Sequence, residues 1–465
     1  MAEARFTRHM SDEDALMWHI EKDPILRSTI LAVAVFDRPP EWRRLRARVD
    51  RATRVITRLR QRVLSPPLRI GPPRWAVDAT FDLDFHLRRL RLPPPGDAPT
   101  LLDALQPIAS CSFDRARPLW EFTLFEGLEG GRAALAMKVH HSITDGVGGM
   151  ALLAELVDLE REPAADLDEL LPALPPSDSL GSVALVRDSL AHTSRRMLGI
   201  TLRVPGRVTS SAFSALRDPA GAAVNVGVTA MSVGRLLAPA TAPMSPLMRD
   251  RGLGRCLAML NVGLDDLRRT AKFTEGSLND VFLAAVVGGL RAYHERHGAK
   301  IASLRMSLPI NLRTADDESG GNRFAPARFP VPAAIDDPAE RVAAIRVLVR
   351  GWRAEPALRM SSALAGILNR LPTATTTALF GSMLKCCDFV ATNVPGAPVP
   401  VYAGGARMDR LYAFAPTAGA AVNVSLISHN ETCCVGVVID TTAVPDAAVL
   451  VDCLRRGFEE MLATT

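Results

Sequence analysis

His140-His141-Ser142-Ile143-Thr144-Asp145-Gly146 is the stretch on which the reading of this chain turns. Just upstream, Ala133-Ala134-Leu135-Ala136-Met137-Lys138-Val139 is a short apolar segment with one charge, preceded by the turn signal Glu129-Gly130-Gly131. That pattern predicts a strand ending at the histidines. Downstream, Gly146-Val147-Gly148-Gly149 leads into a segment that puts Leu152, Leu153, Leu156 and Leu159 on one helical face. Strand, histidine loop and helix in that order form an α/β unit.

Imidazole suits acid–base work because its unperturbed pKa is about 6.5, so it can take a proton from an alcohol and return it to a leaving group. A hydroxyl held against His141 becomes a competent nucleophile, and the run points to acyl transfer. Asp145, ahead of the helix, is assigned a structural role, capping backbone N–H groups or pairing with an arginine. Arg313 is the first candidate for that salt bridge, with Arg115 and Arg117 as alternatives. The competing reading makes the histidines half-buried strand-end residues and Asp145 a plain cap. A metal centre is not expected, since adjacent strand residues point to opposite faces and no His-Glu-x-x-His helix is present. Ser142 lacks a Gly-x-Ser-x-Gly elbow, so a covalent serine mechanism has no support.

The chain has 465 residues, 48% of them apolar, enough for two domains with sizeable cores. Of its 55 basic residues only five are lysine, so 50 are arginine, and the net charge is +5. These arginines are scattered, unlike a nucleic-acid-binding face, and no nucleic-acid partner is expected. The run Arg51, Arg54, Arg58, Arg60, Arg62 could attract phosphates but reads first as a solvated helix face. Seven cysteines, an odd number without Cys-x-x-Cys spacing, fit a reducing cytoplasm. No export signal or run of 18 apolar residues is found, so a cytoplasmic location is expected. Peripheral attachment to the inner membrane or to lipid inclusions stays open, and Val281–Val287 reads as core before contact surface.

An α/β domain is expected over residues 1–162, with strands at Ser28–Phe36, Trp120–Phe125 and Ala133–Val139. A proline-rich linker over 163–225 contains a helix at Val183–Thr201. A second domain is expected over 226–465, with a helix opening at Gly276–Asp280 and running to about His294. Its strands are expected at Leu304–Leu308, Phe389–Thr392, Ala421–Ile427 and Cys434–Ile439, with a terminal helix from about Ala447.

Further segments accompany the histidine run: Pro118-Leu119-Trp120, Ser277-Leu278-Asn279-Asp280, Pro309-Ile310-Asn311-Leu312-Arg313, Gly321-Asn322 and Thr392-Asn393-Val394-Pro395-Gly396. In this order and spacing, and nearly end to end from Ser11–Glu21 to Val444-Pro445-Asp446, the chain resembles the bacterial wax ester synthase/diacylglycerol acyltransferase family. The resemblance implies two chloramphenicol-acetyltransferase-like α/β domains with the active site in a tunnel at their interface. It makes His141 the catalytic histidine with His140 beside it, Asp145 structural, and Gly146 the residue that lets the loop turn. It adds Asn279 and Asp280 as residues required for activity. Pro118, Leu119 and Trp120 would shape the substrate channel, with Ser142 grouped among the substrate-facing residues.

The residues themselves are less decisive. Asn279 could donate its amide to an oxyanion, or Ser277 and Asn279 could cap a helix whose dipole Asp280 complements. Trp120 reads more readily as core than as channel wall. The expected partners are long-chain acyl-CoA, as substrate and not cofactor, and diacylglycerol or a fatty alcohol. The alternatives are a carrier-protein-dependent acyltransferase of condensation type and a non-catalytic lipid-binding protein.

Overall fold

The computed structural model describes residues 7–67, 70–144, 146–162, 171–176, 181–195, 231, 242–311, 324–355, 365–366 and 368–464. Asp145, Arg313, Gly321-Asn322 and most of the stretch 163–225 lie outside the described residues; within that stretch a helix runs over 182–195.

Among the described residues, fourteen strands form two six-stranded sheets and a hairpin-like pair. They are β1 Thr29–Phe36, β2 Gln61–Leu64, β3 Arg74–Val77, β4 Leu87–Arg91, β5 Trp120–Leu128, β6 Arg132–His140 and β7 Arg255–Gly263. The rest are β8 Ser303–Asn311, β9 Phe324–Pro332, β10 Phe389–Pro395, β11 Tyr402–Ala403, β12 Ala406–Phe414, β13 Val422–His429 and β14 Thr432–Asp440. The first sheet runs β11-β12-β1-β6-β5-β4 and the second β7-β14-β13-β10-β8-β9, while β2 and β3 pair separately. Both are mixed sheets, parallel only at β4/β5 in the first and at β13/β10/β8 in the second.

The histidine-bearing strand β6 alternates as a strand buried on both faces must. Ala133, Leu135, Met137 and Val139 join Phe36, Trp120 and Phe122 in one core, which the helix Gly146–Leu156 covers with Leu152, Leu153 and Leu156. Ala134 and Ala136 enter a second core with Leu31, Val33, Tyr412 and Phe414, closed by Leu101 and Leu105 of the helix Ala98–Ser110 and by Leu257, Cys434 and Val438 of the other sheet. That second core is the seam between the two sheets. Leu159, expected on the helix face, is instead 74% exposed, because Asp158 pairs through its backbone with Tyr402 and leads the chain out of the helix.

β12 arises in the second half of the chain yet pairs antiparallel with β1 of the first sheet, Leu31 opposite Phe414. It is also tied to the second sheet. The Tyr412 hydroxyl donates to Asn261 Oδ1 at 2.7 Å, and His429 Nε2 donates to the Met408 carbonyl at 3.1 Å. The crossing is close at Gly436 of β14, where an added Cβ would lie 2.1 Å from the Ala413 carbonyl oxygen.

In the second half the helix Leu278–Arg296 is buried on almost every side, and Val281–Val287 is core. It lies between the second sheet and the helices Pro338–Arg353 and Ala447–Leu462. Buried Arg341 bridges them, reaching Glu460 at 2.8 Å and the Ala284 carbonyl at 3.3 Å. Among the described residues no helix is long and apolar enough to cross a membrane.

Because the atom that a side chain at 436 would meet is backbone of the other sheet, Gly436→Ala should cost about 1–3 kcal/mol. Urea denaturation checks this, and an unchanged midpoint would mean the seam is not close-packed there.

Candidate active site

The histidine pair sits at a strand end, as the sequence indicates. His140 closes β6 opposite Thr29 of β1, and its N–H donates to the Leu119 carbonyl at 3.0 Å. His141, the first residue beyond the strand, donates its N–H to the Ser28 carbonyl at 2.8 Å. The chain then turns, with the Ile143 N–H returning to the His140 carbonyl at 2.9 Å.

The two rings have different surroundings. His140 is 1% exposed, flanked by the edges of Trp18 and Phe113 at 5.7 and 5.9 Å between centroids. Its Nδ1 accepts the Ser142 N–H at 3.1 Å and lies 2.7 Å from the Ser142 hydroxyl, while Nε2 lies 2.9 Å from Glu21 Oε1. An Nδ1 that accepts from a backbone amide leaves the proton on Nε2, so His140 donates to Glu21. Both ring nitrogens are thereby committed. Ser142, expected to face substrate, is buried instead, its hydroxyl turned to His140. His141 is half-buried where His140 is fully buried, so the two rings differ in exposure.

Glu21 caps the C-terminus of the helix Asp12–Ile20, a position the sequence reading did not single out. Burial alone would raise its carboxyl, but its interaction with the His140 ring, the Ser28 N–H and the charge of Arg115 outweigh that and hold it below its ordinary 4.5. A lowered carboxyl pKa means that these contacts are present above the ordinary value and lost as pH falls through the lowered one. Lys138, in the middle of the apolar run of β6, is buried over the Phe113 ring at 4.3 Å and 3.7 Å from Glu121; burial pushes its ammonium down despite that carboxylate.

Pro118-Leu119-Trp120 proves to be core. Trp120 is 0% exposed, donates Nε1–H to the Leu59 carbonyl at 2.7 Å, and stacks on His86 at 4.6 Å. An indole filled on its faces and satisfied at its nitrogen cannot line a channel. Its contribution to the site passes through Leu119, whose carbonyl holds His140.

Asn279 and Asp280 open the helix Leu278–Arg296. Ser277 and Asp280 form a reciprocal capping box, with the Ser277 N–H to Asp280 Oδ2 at 2.9 Å and the Asp280 N–H to Ser277 Oγ at 3.2 Å. This gives Asp280 the capping role. The Asn279 side chain differs: its Nδ2 is buried and makes no hydrogen bond. A buried donor without an acceptor among the described residues is costly.

Asp145 and Arg313 lie outside the described residues, so the described contacts of Arg115 and Arg117 are those to other residues. Arg115 pairs with Glu21 at 3.3 Å and lies over Trp18, while Arg117 pairs with Asp114 at 3.5 Å and lies over Phe85. In the arginine run, Asp50 gathers Arg54 and Arg60, Arg51 meets Glu155, and Arg58 is buried over Trp75. It is a packed ion-pair network, not a solvated face.

The wax ester synthase/diacylglycerol acyltransferase catalytic-domain model matches residues 10–282, and the family's C-terminal-domain model matches residues 320–462. A Mycobacterium tuberculosis protein with the provisional name diacylglycerol O-acyltransferase is 38% identical across 100% of this chain and 94% of its own length. A Mycobacterium bovis protein of the same provisional name is 31% identical over 85% of this chain and 78% of its own. Among solved structures, the wax ester synthase/diacylglycerol acyltransferase of Marinobacter aquaeolei aligns with a TM-score of 0.63 at 22% identity, covering 97% of this chain and 98% of that one. The first condensation domain of the calcium-dependent antibiotic synthetase also aligns at 0.63, with 16% identity, over 99% and 96%. The architecture is thus the two-domain chloramphenicol-acetyltransferase-like α/β fold, and the chain belongs to the wax ester synthase/diacylglycerol acyltransferase family.

Proposed function

We propose that this chain transfers a long-chain acyl group from acyl-CoA to the hydroxyl of diacylglycerol or a fatty alcohol, giving triacylglycerol or wax ester and free CoA. The supporting observation is the position of His141, half-buried just past the end of β6, beside a His140 ring held by Glu21 and Ser142.

In the proposed reaction His141 takes the proton of the acceptor hydroxyl while the oxygen attacks the thioester carbonyl carbon. The resulting tetrahedral oxyanion collapses with cleavage of the C–S bond, and the proton held by His141 passes to the departing thiolate. No covalent enzyme intermediate and no metal or redox cofactor enters these steps. Asn279 is the proposed oxyanion donor, supported by its buried, unpartnered amide. The proposed location is the cytoplasm, with attachment to the periphery of the inner membrane or a lipid inclusion compatible with such apolar substrates. We further propose, from the family resemblance, that the active site lies in a tunnel between the two domains, and, from the residues themselves, that Asp145 pairs with Arg313.

His141→Ala should lower kcat by about 10²- to 10⁴-fold with an unchanged circular dichroism spectrum; near-wild-type turnover would remove His141 from the mechanism. Asn279→Ala should lower kcat by about 10²- to 10³-fold while KM changes little, which steady-state kinetics can separate. With palmitoyl-CoA, an acceptor panel of hexadecanol and dioleoylglycerol should give ester on thin-layer chromatography and an equal amount of CoA thiol. Ester formed only from an acyl-loaded carrier protein would instead favour condensation-type chemistry.

A further inference from the structure

Glu21 Oε1 accepts two hydrogen bonds, from the backbone N–H of Ser28 at 2.6 Å and from His140 Nε2 at 2.9 Å. Each donor belongs to a residue that holds His141. The carbonyl of Ser28 receives the His141 N–H at 2.8 Å, and His140 is its covalent neighbour. One oxygen atom therefore joins the start of β1, the end of β6 and the helix Asp12–Ile20. The other oxygen lies 3.3 Å from Arg115, and the side chain is only 9% exposed. His140 cannot turn to an alternative acceptor, because its Nδ1 faces the Ser142 N–H and only Nε2 is free to donate.

We infer that Glu21 is a positioning residue for the acyl-transfer site, fixing the backbone turn from which His141 presents its imidazole. The inference rests on the reading of His141 as the base. What matters is the reach of Oε1, since the bonds to Ser28 and His140 both end on that atom. A carboxamide keeps an acceptor oxygen at the same distance from the backbone. A side chain shorter by one methylene cannot span both donors and must release one, loosening either the Ser28 side or the His140 side of the turn.

Glu21→Gln and Glu21→Asp separate reach from charge, because the first keeps reach and loses charge while the second does the reverse. With palmitoyl-CoA and the better acceptor, Glu21→Gln should keep kcat within about threefold of the wild type. Glu21→Asp should lower kcat by about 10- to 100-fold, as misplacement by an ångström can, with KM for both substrates within about threefold. Asp at wild-type turnover, or Gln reduced as far as Asp, overturns the inference. Amide hydrogen exchange over residues 139–144 reads the same joint without turnover: it should quicken in Glu21→Asp and stay at the wild-type rate in Glu21→Gln. Unchanged exchange in both variants overturns the inference even if kinetics fail. Wild-type enzyme assayed alongside keeps the two questions apart, since absence of transfer there counts against acyl transfer and leaves the exchange result to decide on Glu21.

Discussion

Everything in this molecule that concerns the histidine loop depends on β1 being paired along both edges. On one side lies β6, which ends in His140; on the other lies β12, delivered from the far half of the chain. A strand held on both sides has no freedom to slip, because a one-residue shift would turn Leu31, Val33 and Val35 out of the seam and drive Ala32 and Ala34 into it. The register of β1 therefore sets the height at which Ser28 meets His141. It also sets where the seam with the second sheet lies.

The polar groups at the site divide along the same line. On the inner side every group is matched, with Glu21, Ser28, Ser142 and the His140 ring closing a local network inside an apolar frame of Trp18 and Phe113. Such a network is rigid because any single departure leaves a buried donor unsatisfied. In the second half, Asn279 is left with an unmatched amide beside a capping box that is otherwise complete.

The parts of this arrangement legible in the sequence were those with local signals. The apolar runs of β1, β5, β6, β13 and β14 and the periodic helices over Leu278–Arg296 and Ala447–Leu462 follow directly from burial pattern. β9 escapes such reading because Pro326, Pro330 and Pro332 argue against a strand; it is tolerated as the edge of its sheet, where missing N–H groups break no ladder on the outer side. β12 escapes because Arg407, Asp409 and Arg410 interrupt its apolar residues. Within the site, the histidines and the helix start at Asn279 were visible as motifs. Glu21 was not, since its meaning lies in bonds to Ser28 and to a histidine more than a hundred positions away. Trp120 was ambiguous until the acceptor of its indole N–H was known.

The placement of β12 has a consequence for how the protein is made. A ribosome delivers the chain from its N-terminus, so β1, β5 and β6 are available long before β12 exists. Until then the outer edge of β1 presents unpaired N–H and C=O groups along Thr-Ile-Leu-Ala-Val-Ala-Val-Phe, an apolar run well suited to pairing with a foreign strand. The nascent N-terminal half must be shielded through this interval or remain loosely formed, and the histidine loop acquires its final backbone only near the end of synthesis.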